Sequence, residues 1–137
     1  MSIFTAGIYN RLANDSTLTA LLADYNGVHA IFTIEPIPGD ADYPYIVISQ
    51  VTMTQDDTKS TQGREILWDV RCYTEATGTK ATVESIAEQV RSLLHRYALV
   101  ITGYTTIVAE VSNIIDAPQE DGVYGIILTT RFRTEAN

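Results

Sequence analysis

The chain has 137 residues, 45% of them hydrophobic and 19% charged, with a formal net charge of −8 and a single cysteine. A length of this order makes one domain, residues 1–137, burying roughly two-thirds of its unfolded surface. No apolar run approaches the roughly 20 residues of a membrane span, one cysteine excludes an internal disulfide framework, and the acidic balance argues against gripping nucleic-acid phosphates, an affinity that Lys and Arg supply.

The N-terminus has no basic stretch followed by a long apolar core, so no signal peptide is expected. Ser2 can cap a first helix with Ile3, Phe4, Ile8 and Leu12 on its apolar side. Asn14, Asp15 and Ser16 interrupt it. Ser16 then reads as the cap of a second short helix carrying Leu18, Leu21, Leu22 and Tyr25, with Gly27 just past its end. This second helix has no Lys or Arg, so the helical pair does not read as a DNA-reading module.

Residues 28–34 form a short strand candidate, and Pro36, Pro38 and Gly39 exclude regular pairing after it. Residues 45–53 (YIVISQVTM) are rich in β-branched side chains and make a principal strand. The next segment, residues 54–63, contains no apolar side chain and reads as a mobile hairpin connection.

The strongest periodicities lie in residues 64–97. Ile66, Trp68, Val70 and Cys72 alternate with Leu67, Asp69, Arg71 and Tyr73, the period of a half-buried strand. Val83, Ile86, Val90, Leu93, Leu94 and Tyr97 then recur at helical spacing. Residues 104–115 form a fourth strand with Ile107, Ala109 and Val111 on one face, and Asp121-Gly122 is a turn pair. In the last strand, residues 123–135, Tyr124, Ile126, Leu128 and Phe132 oppose Gly125, Ile127, Thr129, Arg131 and Arg133. The expected fold is α+β, a mostly antiparallel sheet with helices on one face. The opposite face, carrying Asp69, Arg71, Thr129, Arg131 and Arg133, is left to solvent or another subunit.

Little in the sequence points to chemistry. His29 and His95 stand apart from any second metal ligand, and His95 ends the main helix, where a cation suits the dipole. Cys72 lies on the inward strand face with no base beside it. Asp40 with Asp42, and Asp56 with Asp57, lack the spaced oxygens and glycine of a calcium loop. No phosphate loop or nucleophile elbow is present. The expectation is a protein without catalytic, metal or cofactor sites. Six tyrosines near element ends suit core edges or subunit interfaces.

The order of elements is similar to that of a known family. A Tyr43-Pro44-Tyr45-Ile46-Val47-Ile48 strand follows a proline-rich bend. A polar hairpin leads to Ile66-Leu67-Trp68-Asp69-Val70-Arg71-Cys72-Tyr73, a helix of Ala-Glu-Gln-Val-Arg-Ser-Leu-Leu type comes next, and the last strand ends Arg131-Phe132-Arg133. This resembles the tail terminator or tail-completion proteins of long-tailed bacteriophages and prophages, relatives of the lambda-type terminator. The resemblance implies a structural virion protein, assembled in the host cytoplasm, that caps the head-proximal end of the tail tube as a hexameric ring. The tube protein and the head-tail connector or head-completion protein would be its partners, and DNA would only pass through the lumen. Interface candidates are Asp56, Asp57, Lys59 and Arg64 at the hairpin, and Asp69, Arg71, Arg131 and Arg133 on the helix-free face. The competing readings are another neck component, such as a head-completion or adaptor protein, and a small cytoplasmic ligand-binding domain.

Overall fold

The computed structural model describes residues 3–33, 38–55, 62–75, 80–117 and 122–136. In chain order these form α1 (Ile3–Ala13), α2 (Ser16–Thr19), β1 (Asp24–Tyr25), β2 (Val28–His29), β3 (Ile31–Phe32), β4 (Tyr45–Gln55), β5 (Gly63–Glu75), α3 (Ala81–Leu94), β6 (Tyr104–Asp116) and β7 (Val123–Ala136). The main sheet has the order β3-β4-β5-β7-β6; only β3 runs parallel to its neighbour, and β1 and β2 make a separate ribbon. The fold is the expected α+β. Because β7 inserts between β5 and β6, the path β5–α3–β6 is a split β-α-β crossover that lays α3 across the sheet.

Period two decides what β5 and β7 bury. Ile66, Trp68, Val70 and Cys72 face the helices with no exposed surface, as do Leu128 and Phe132, and Trp68 meets Phe132 edge-on at 5.5 Å. The α3 stripe of Val83, Ile86, Val90, Leu93 and Leu94 closes over them, joined by Phe4, Ile8, Leu12 and Leu18 from α1 and α2. Each such aliphatic side chain, fully buried, contributes roughly 1.5–3 kcal/mol. Helix α3 stops at Leu94, and Tyr97 lies beyond it, where its ring carries the Arg11 guanidinium 3.6 Å from the centroid.

The N-terminal third departs from expectation in several places. The capping position suggested for Ser2 lies outside the described residues, and Ile3 is exposed. The cap of α2 is Asp15, whose carboxylate accepts the Leu18 N–H at 2.8 Å; Ser16 is already helical. The helix lasts only four residues, and further on Asn26 and Gly27 both take positive φ (51° and 84°) and fold β2 back on β1 in a tight turn of the I′ kind. Gly27 therefore serves a hairpin and not a helix end. The expected 28–34 strand divides accordingly, with Val28–His29 in the ribbon and Ile31–Phe32 on the main sheet beside Ile46 and Val47.

A second small core also occupies one end of the helix-free face. Phe32, Tyr45 and Val47 are buried there, with Tyr25, Tyr43 and Tyr73 packed around them. Tyr43 stacks on Tyr45 at 4.9 Å, and Phe32 meets Tyr45 edge-on. The helices keep to one face, as expected, but the opposite face is open only away from this cluster.

In β6 the expected Ile107, Ala109, Val111 face holds for the last two. Ile107 is the extra residue of a β-bulge between Thr106 and Val108 and is about half exposed.

Candidate assembly interface

The helix-free face is built from alternate residues of four strands. The register sets Glu65 beside Arg133, Leu67 beside Arg131, Asp69 beside Thr129 and Arg71 beside Ile127, with Glu110 next to Arg131 on the far side. Five carboxylates (Glu65, Asp69, Glu75, Glu110, Glu135) and three guanidiniums (Arg71, Arg131, Arg133) share it. Arg131 bridges three strands: its Nε donates to Glu65 Oε1 at 2.9 Å and its Nη1 to Glu110 Oε1 at 3.3 Å. The Glu65 hydrogen bond, chiefly, raises the Arg131 pKa above the ordinary guanidinium value. Arg133 lies 3.4 Å from Glu135. Asp69 accepts from the Thr129 hydroxyl at 3.0 Å. Arg71 stands apart: its Nη2 reaches Asp69 only at 3.8 Å, and its buried Nε has no hydrogen-bond partner among the described residues.

The structure thus divides the residues singled out from sequence. Asp69, Arg71, Arg131 and Arg133 share the helix-free face, where Arg131 and Arg133 pair with carboxylates. Arg64 falls on the other side of the sheet, in the row of Gln55 and the buried Thr134, since its position in β5 is one residue out of phase with Glu65. Asp56, Asp57 and Lys59 lie outside the described residues. Glu65 and Glu110 were missed. Strand alternation places both outward, but only the order β5-β7-β6 reveals that one arginine joins them.

The remaining reactive side chains have structural settings. Cys72 is wholly buried, and desolvation pushes its thiol up to about 12. His95 closes α3, and its Nδ1 accepts the Val111 N–H at 3.1 Å. His29 lies 3.2 Å from Asp24 across the β1–β2 ribbon. Asp40 accepts from the Tyr25 hydroxyl at 2.9 Å, a bond that raises the tyrosine pKa. Among the described residues, no three His, Cys, Asp or Glu side chains gather as metal ligands. No described helix is long and apolar enough to cross a membrane.

Comparison with solved structures finds the same fold in a chain of the virion of a native gene transfer agent particle. It has a TM-score of 0.78 at 23% identity, over 96% of this chain and 93% of that one. The bacteriophage SPP1 gp17 protein matches with a TM-score of 0.58 at 24% identity, over 95% of this chain and 86% of the other. Among curated proteins, no sequence matches. The model of the family described as tail completion protein gp17 matches residues 6–135. That span takes in nearly all of the three helices and the five-stranded sheet, so the chain belongs to the tail completion protein gp17 family and is a structural protein of the phage tail.

Proposed function

We propose that this chain caps the head-proximal end of the tail tube as a ring of six subunits, ends tube polymerisation and presents the surface on which the head is joined. The observation that carries the reading is the family match across residues 6–135. The geometry supports it in two ways. A closed ring needs two different patches on each subunit, and the sheet ends in two unlike margins, β4 with β3 on one side and β6 on the other, flanking a broad helix-free face. Arg131 and Arg133 on that face are already paired with carboxylates, which lessens the desolvation that burial against a neighbour would cost. Arg71, about one-third exposed and only 3.8 Å from Asp69 through its Nη2, is the guanidinium on that face best placed to bond to a partner protein.

In this reading the protein works without catalysis or cofactor, touching the tube protein on one side and the head-completion or connector protein on the other. A net charge of −8 lets DNA pass the lumen without adhering. The test is polymerisation of purified tube protein with increasing amounts of this chain. Tube length should stop increasing at a ratio of about six subunits per tube end. Unchanged tube growth at saturating subunit, or binding to portal protein but never to tube, would rule the reading out.

A further inference from the structure

The main sheet has two long edges, and they are treated differently. β4 is covered by β3 only at Ile46 and Val47. Residues 50–55 pair with β5 on one side, and among the described residues no strand lies on the other. This stretch has no Lys, Pro or charged side chain, the usual protection of an edge. It carries exposed Val51, the extra residue of a bulge, and exposed Met53. The β6 edge, by contrast, is held by its own chain just beyond α3. The Arg96 N–H donates to the Ala109 carbonyl at 2.8 Å, and the Val111 N–H donates to His95 Nδ1 at 3.1 Å. Both bonds use edge groups of β6 that face away from β7. Arg96 holds this clip in a left-handed conformation (φ 58°) that non-glycine residues avoid.

The register makes the two edges match. Gln50, Trp68, Thr130 and Val111 form one row across the sheet; Met53, Ile66, Phe132 and Ala109 form another; Thr54, Glu65, Arg133 and Val108 a third. The uncovered part of β4 and the clipped part of β6 therefore lie at the same level, and the two strands run antiparallel. A second copy related by rotation about an axis along the strands would set its β6 beside this β4 with no axial shift. No like charges meet there, since β4 brings none and Glu110 is already bound to Arg131.

We infer that the two sheet edges form a latent junction between copies of this chain: residues 50–55 of β4 pair with residues 106–111 of β6 in a second copy once the His95–Arg96 clip lets go. The clip keeps free subunits from joining edge to edge. The inference rests on the ring proposed above and gives that ring its subunit contact.

Paired cysteine substitutions test it in the full chain. Thr54 and Val108 stand in one row on opposite edges, three strand spacings or about 14 Å apart within a subunit. That is well beyond the ~7 Å Cα separation that a disulfide spans, so a disulfide between the two introduced thiols of T54C/V108C joins two molecules. Oxidised T54C/V108C should give a ladder of covalent oligomers at least fivefold above either single variant. Adding His95→Leu, which removes the acceptor for Val111, should raise the yield of bridged species further and lower the concentration for association about tenfold. Arg96→Pro, which removes the donor to Ala109, provides a second opening of the clip should the leucine variant fold poorly. Val51→Lys with Met53→Lys should abolish the ladder. Bridging by T54C alone would pair two β4 edges and overturn the junction, as would T54C/V108C that caps tubes yet never bridges. In that last outcome the ring reading stands, whereas wild-type protein that never caps tubes removes the ring itself.

Discussion

Single side chains set the strength of the core, and Trp68 is the most consequential of them. It has no exposed surface and no partner for its Nε1 among the described residues, so its contribution comes from ring packing. Trp68→Ala should cost roughly 3–5 kcal/mol, measured as a shift in denaturant midpoint. Trp68→Phe should cost distinctly less, because it removes the unpaired N–H along with part of the ring. Cys72 offers a pH test. Burial raises its thiol from 9.0 to about 12, so the folded protein holds a proton that the unfolded chain releases above pH 9. Its contribution is fully present below pH 9 and is lost as pH rises towards 12, on the order of 1 kcal/mol per pH unit. Unfolding curves between about pH 8 and 11 should therefore fall more steeply for wild type than for Cys72→Ala. Iodoacetamide should label the thiol only after unfolding. Arg131, more exposed, holds less: Arg131→Met should cost no more than about 1 kcal/mol in unfolding experiments despite its two carboxylate partners, as half-solvated ion pairs do.

At the scale of elements, short polar contacts fix how helices and strands meet. Asp15 caps α2 and also accepts from Gln89 Nε2 of α3 at 2.9 Å, joining two helices through one carboxylate. Asp15→Ala should destabilise by about 1 kcal/mol or somewhat more. Gly125 sits where a Cβ would lie 2.8 Å from the Tyr73 ring and from Ala117, so Gly125→Ala should cost roughly 1–3 kcal/mol by overpacking at the β5–β7 seam. Thermal unfolding checks both. Much of this scale was legible in the sequence. The β5 and β7 alternations and the α3 stripe each obey one period over many residues, and a core face that long leaves one workable phase. What was not legible depends on partners remote in sequence. The bulge that turns Ile107 outward follows from pairing with Arg133 and Thr134, and the aromatic cluster follows from β3 docking parallel to β4. The Asn26-Gly27 turn is a different case. Its signal is present in the dipeptide, but the sequence reads equally as a helix end there, and the helix stops well before it, at Thr19. For the interface, alternation placed Asp69, Arg71, Arg131 and Arg133 on one face. It could not show that Arg131 is held by Glu65 and Glu110 at 2.9 and 3.3 Å while Arg71 reaches Asp69 only at 3.8 Å.

At the scale of the whole molecule, the sheet separates two tasks. Its helix-covered side supplies the core, and its other side carries ion pairs, an aromatic cluster at one end and an uncovered β4 margin. Arg71→Ala should leave the unfolding free energy within about 1 kcal/mol of wild type while weakening attachment to tubes, a combination that co-sedimentation with tubes would detect. The proposed ring at the tube end is checked by electron microscopy of tubes grown with saturating wild-type chain. One ring of about six subunits should sit at a single end of every tube, with no protein along the sides. Tubes with bare ends, or decorated along their length by single subunits, would contradict it.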